Sequence, residues 1–166
     1  MKEKYKIVLT CYDFDNPKPY FDEIEGVFNT VSEAERILYF SVLDELTELN
    51  DVNGDGQFSE RRFLSQLHDE EHNIVINCWD GLDYSPVTCY DIIPYSKYLT
   101  NKYNMKLKKK HGADITVKIY SYIEDDGNVA YYYSSILYGD SDAYETVEQA
   151  YKEADIYLCG TGDLFV

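Results

Sequence analysis

Residues 51–57, Asp-Val-Asn-Gly-Asp-Gly-Gln, set oxygen donors at alternate positions. The side chains of Asp51, Asn53 and Asp55 and the backbone carbonyl of Gln57 form such a set, and Gly56 permits the sharp turn that would converge them. Converging oxygens around a tight turn are what a hard cation such as calcium needs. Further along, His68 and His72 stand four residues apart, which puts two imidazoles on one helical face and could grip zinc. A metalloprotease would carry Glu directly after the first His, and Asp69 stands there instead. Carboxylates run together at Asp22, Glu23 and Glu25, at Glu124, Asp125 and Asp126, and at Asp140 and Asp142. Tyr131, Tyr132 and Tyr133 follow one another in a segment with strand character.

The whole stretch DVNGDGQFSERRF, residues 51–63, resembles the loop of an EF-hand. Asp51, Asn53 and Asp55 match its positions 1, 3 and 5, Gly56 its position 6 and Gln57 its position 7. Phe58 fits the apolar position 8, Ser59 the position that holds a water, and Phe63 stands where the second helix would pack. The resemblance implies a bound calcium ion. At position 12 the family uses a bidentate glutamate, and this chain has Arg62. That exchange removes two oxygens and adds a charge that repels a divalent ion. No second loop of this kind occurs in the sequence. Three outcomes stay open: a weak calcium site completed by Glu60 or water, an internal cation supplied by Arg61 or Arg62, or an Asx-rich turn.

Nothing else reads as an active site. There is no GxSxG, no phosphate-cradling glycine loop and no defensible Cys–His arrangement. The terminal Cys159-Gly-Thr-Gly-Asp163 reads as a helix cap and tail. With 31 acids in 166 residues, close carboxylate pairs arise without a catalytic reason. The chain is therefore expected not to be an enzyme.

Charge is the most unusual property. Fifteen basic residues face 31 acidic ones, a net charge of −16. Five of the lysines fall between Asn101 and His111, which leaves the remainder more acidic still. Such a chain repels nucleic acid and anionic membrane and attracts basic partners. The lysine cluster reads as an internal partner for the acids or as the exposed tail of a helix. Cys11, Cys78, Cys89 and Cys159 form no CxxC pair, which suits reduced thiols in the cytoplasm. The opening apolar run is too short for a signal peptide and no stretch has the length of a membrane span.

The elements that must position these groups follow from local pattern. Tyr5–Tyr12 alternates, with Tyr5, Ile7, Leu9 and Cys11 on one face of a strand. After the turn-rich DFDNPKP, Tyr20–Phe28 is predicted to return. Thr30 and Glu33 make a capping box for a helix over 31–49, with Val31, Ala34, Leu38, Val42, Leu46 and Leu49 at helical spacing. A short helix over 59–70, a hairpin of 73–79 with 86–93, and a helix over 95–111 follow. Thr116–Ile123 and Val129–Tyr138 form a hairpin about Asp125-Asp126-Gly127-Asn128. Thr146 and Gln149 then cap a helix lined by Val147, Ala150, Tyr151 and Ala154. The chain is thus expected to be one α+β domain over 1–166, an antiparallel sheet of about six strands with three or four helices. Segments 4–50 and 114–158 read as ββα pseudo-repeats flanking a middle segment, 51–113.

These readings converge on an acidic binding protein. Asp22, Glu23, Glu25, Glu124, Asp125, Asp126, Asp140 and Asp142, with Tyr131 and Tyr133, would face a basic, nucleic-acid-binding surface on a partner protein. In size and composition the chain is similar to the anti-restriction and anti-CRISPR inhibitors carried by phages and mobile elements. That similarity implies a nucleic-acid mimic without direct nucleic-acid or membrane binding. The alternative is a calcium-binding module built on Asp51, Asn53, Asp55 and Gln57.

Overall fold

A computed structural model describes residues 1–13, 16–53, 73–79 and 84–161, and their side chains over 1–11, 21–44 and 89–160. The fold is α+β. In chain order it runs β1 (Tyr5–Asp13), β2 (Asn16–Glu23), α1 (Val31–Asn53), β3 (Asn73–Trp79), β4 (Tyr84–Pro94), α2 (Tyr95–His111), β5 (Lys118–Ile123), β6 (Val129–Ser135), β7 (Gly139–Asp140) and α3 (Val147–Thr161). The chain divides into two compact units, Tyr5–Ile93 and Met1–Lys4 with Pro94–Val166.

In the first unit the strands lie in the order β2-β1-β4-β3. The β1/β2 hairpin is antiparallel, with Leu9 opposite Asp22 and Cys11 opposite Tyr20. The return strand starts earlier than the sequence pattern indicates, at Asn16 rather than Tyr20. Pro17 and Pro19, which read as turn residues, sit inside it. An outermost strand tolerates proline because a nitrogen turned away from the sheet needs no hydrogen. The predicted continuation to Phe28 reduces to one bridge, in which Tyr5 and Phe28 exchange backbone hydrogen bonds of 2.8 Å. Helix α1 opens on its cap: Glu33 N–H donates to Thr30 Oγ1 at 3.1 Å, and Asn29 N–H donates to Glu33 Oε2 at 2.8 Å. Ala34, Leu38 and Val42 then bury one stripe against Ile7, Phe28, Tyr90 and Ile92, with Tyr5 and Leu9 partly buried beside them.

Lys6 is an unusual member of this unit, since its side chain is almost fully buried. Its ammonium donates to the carbonyls of Ile24 at 2.8 Å and Gly26 at 3.0 Å and pairs with Glu23 at 3.3 Å. A buried ammonium is tolerable only when its donors are met in this way. Lys6 therefore ties β1 to the segment leading into α1.

In the second unit β5, β6 and β7 form an antiparallel sheet in that order. The hairpin turn falls where the sequence places it. Gly127 adopts φ +77, and Glu124 and Asn128 close the turn with a 2.8 Å backbone bond. On its other side β6 is covered in pieces: Met1 O accepts from Val129 N–H, Tyr144 bridges Tyr131, and β7 pairs with Ser134 and Ser135. Helix α2 is tied at both ends. The Glu3 carboxylate accepts the Ser96 N–H at 3.1 Å and the Ser96 hydroxyl at 2.5 Å, a charge that suits the positive end of a helix dipole. Gly112, at φ +110, returns its N–H to Lys108 O. Midway, the Asn104 amide donates to Ile119 O and accepts from Ile119 N–H, which fixes α2 on β5. Thr146 and Gln149 form the expected reciprocal cap on α3, at 3.3 and 3.2 Å. Val147, Ala150, Ala154 and Leu158 complete a core with Leu107, Ile115, Val117, Ile119, Val129 and Tyr131.

Candidate functional site

Register decides what the second unit shows to its surroundings. Ile119 pairs with Tyr133 and Ser121 with Tyr131, while Tyr120 pairs with Tyr132 and Tyr122 with Ala130. Directly opposed residues share a face. The buried Ile119 marks the first set as inward, so Tyr131 is 7% exposed and Tyr133 packs on the same core. Burial pushes the Tyr131 phenol up to about 12. The open face instead carries Tyr120, Tyr122 and Tyr132. The rings of Tyr120 and Tyr132 stack at 5.5 Å with 23° between planes, and Tyr122 meets Tyr132 edge-on at 6.0 Å. Tyr120 and Tyr122 remain more than 40% exposed.

Acidic groups flank this tyrosine face. Glu124 continues the outward alternation of Tyr120 and Tyr122 at the hairpin tip. Asp140 sits opposite Ser134, which pairs with Lys118, so all three share the outward face at the other end. The span from row 118 to row 124 is roughly 20 Å at the usual strand rise. Asp125 and Asp126 share the tip and Asp142 lies just past β7, all three exposed. The Asp126 carboxylate accepts the Asn128 N–H at 2.7 Å and the Asn128 amide at 2.6 Å, which holds its carboxyl below the usual range. Among the described residues no cation pairs with the carboxylates of Glu124, Asp125, Asp140 or Asp142.

The remaining candidates fall elsewhere. Asp22, Glu23 and Glu25 are exposed in the 5–93 unit, where Glu23 serves Lys6. Asp51 and Asn53 lie in the last turn of α1, which runs four residues past its predicted end. Asp55, Gln57, Arg62, His68, His72 and the predicted 59–70 helix lie outside the described residues.

The lysine cluster lies on α2, with Lys108, Lys109 and Lys110 in the last turn, where cations complement the carbonyl end of the helix. Part of it is spent internally. Lys106 sits 4.1 Å above the Tyr103 ring, and Lys110 pairs with Asp155 at 2.7 Å. Tyr103 in turn donates to Glu148 at 2.7 Å, a bond that raises its phenol to about 12. At the same end of the helix pair, His111 Nε2 meets Asp155 Oδ1 at 2.6 Å, and Cys159 brings its thiol into the group. The sequence alone gives Cys159 only a place in a helix cap and tail, and His111 only the end of the lysine cluster. The one available signal was the four-residue spacing of Asp155 and Cys159 on a helix.

No family model, no curated protein and no solved structure matches this chain.

Proposed function

We propose that this chain is a non-enzymatic, cytoplasmic binding protein that occupies a basic, nucleic-acid-binding surface of a partner protein. One observation carries the reading: the exposed Tyr120 and Tyr122, packed on the half-buried Tyr132 ring between them, lie between carboxylates that have no ion-pair partner among the described residues. Phenol rings offer large contact area at low entropic cost. Their faces also receive guanidinium and ammonium groups. Carboxylates at both ends of the face compete for the cations that would otherwise hold phosphates. Such a protein acts by exclusion, in the manner of an anti-restriction or anti-CRISPR inhibitor, and touches neither nucleic acid nor membrane itself. Tyr131 supports the face from beneath, and Asp22 and Glu25 give the 5–93 unit an acidic region of its own.

The test is competitive capture. The immobilised chain is exposed to purified basic nucleic-acid-binding proteins at low salt, then washed with rising salt or with duplex DNA. The expected result is retention of a partner that both salt and duplex DNA release. Glu124→Gln with Asp125→Asn and Asp140→Asn should shift release to lower salt, and Tyr120→Ser with Tyr132→Ser should weaken retention about tenfold or more. Retention that duplex DNA cannot displace, or no retention at all, defeats the proposal.

A further inference from the structure

We infer that His111, Asp155 and Cys159 form a binding site for a thiophilic divalent cation, of which zinc is the best fit. The donor atoms of the three residues lie within 4.8 Å of one another. They come from two elements of one unit: His111 ends α2, and Asp155 and Cys159 stand one turn apart on α3. A four-residue spacing puts two side chains on the same helical face. Imidazole nitrogen, carboxylate oxygen and thiolate sulfur together are a donor set that zinc accepts and that calcium or magnesium does not. Three protein donors leave the fourth tetrahedral position to water.

An internal ion pair explains only part of this arrangement. It accounts for Lys110 and His111 against Asp155, at 2.7 and 2.6 Å, and gives Cys159 no role. The burial is graded as a port would be. The His111 ring is 8% exposed and the Asp155 side chain 21%, while Cys159 lies at the surface. The 2.6 Å contact is a hydrogen bond, shorter than the roughly 3.3 Å edge of a zinc tetrahedron with bonds near 2.0–2.1 Å. Zinc therefore replaces the shared proton, parts the two groups by well under 1 Å, and takes the thiol proton as well, so binding releases protons. Lys110 is the resident competitor, holding the second Asp155 oxygen until the metal arrives.

The experiment titrates Zn2+ alone, and Co2+ as its spectroscopic stand-in, into the full chain under reducing conditions. The expected result is a site holding one ion per chain, with a thiolate-to-cobalt charge-transfer band. Cys159→Ser abolishes that band and weakens zinc by about 100-fold, the top of the range seen when even a supporting partner of a metal ligand is removed. This exposed position tolerates the exchange, and circular dichroism confirms the fold. Lys110→Gln tightens zinc by about fivefold, the effect of removing one like charge some 4 Å away in water. The proposal is overturned by any of three results. They are a band that survives in Cys159→Ser, zinc retained by Cys159→Ser but lost on His68→Asn with His72→Asn, or unchanged or weaker binding in Lys110→Gln.

Discussion

Two hairpins in this molecule each lead into a capped helix, and they are wired differently. In the 5–93 unit the residue two before the capping threonine, Phe28, returns to the first strand of its hairpin, at Tyr5. In the other unit the corresponding residue, Tyr144, returns to the second strand, at Tyr131. The caps differ as well. Gln149 serves the N–H of Thr146 itself, whereas Glu33 reaches one residue further back, to Asn29. Similar local sequence has produced the same local device in two topologies. A helix cap depends on four residues, whereas strand order depends on what the rest of the unit leaves unpaired.

Core truncations test that comparison most strongly. Leu38→Ala and Leu158→Ala each remove a fully buried side chain, and each should cost about 2–5 kcal/mol. In hydrogen exchange, the first should expose amides of β1 and α1 and the second those of β5, β6 and α3. Equal loss of protection everywhere in both variants would mean that the units unfold as one. Next is Lys6→Ala, which strands the carbonyls of Ile24 and Gly26 and should cost about 2–3 kcal/mol by denaturant melting.

Alkaline titration separates the units by another route. Tyr131 and Tyr103 have phenols raised to about 12 from 10, so between those values the unfolded chain has lost protons that the folded one keeps. Their contribution is complete below pH 10 and disappears as pH rises through about 12. The loss is on the order of 2 kcal/mol for the buried Tyr131. Tyrosinate absorbance and exchange should report it in the second unit first. Smallest are Thr30→Ala and Thr146→Ala, each costing about 1 kcal/mol. A larger loss for Thr146 would show that the reciprocal cap is the stronger of the two.

Local features were legible in the sequence because a few neighbouring residues decide them. Both caps, the Asp-Gly turn and the buried stripes of α1 and α3 belong to this group. So does the α+β class, although the early start of β2 was hidden because proline signals a turn before it signals an edge. Alternation showed that Tyr131 and Tyr132 part company but not which of them faces the core. The alternation of the aliphatic Ile119 with Tyr120 and Tyr122 on the partner strand carried that information. The meeting of His111 with Asp155 joins residues 44 apart, and no local pattern encodes it.

Pro17 and Pro19 have a consequence for the state of the chain in solution. Proline has no N–H, so neither residue can donate to a neighbouring strand. A chain with 18 tyrosines and several exposed apolar side chains runs a risk of templating fibres. β2 is the outermost strand of its sheet, and proline on such a strand blunts it against pairing with a second copy, which helps to keep the molecule disperse at high concentration.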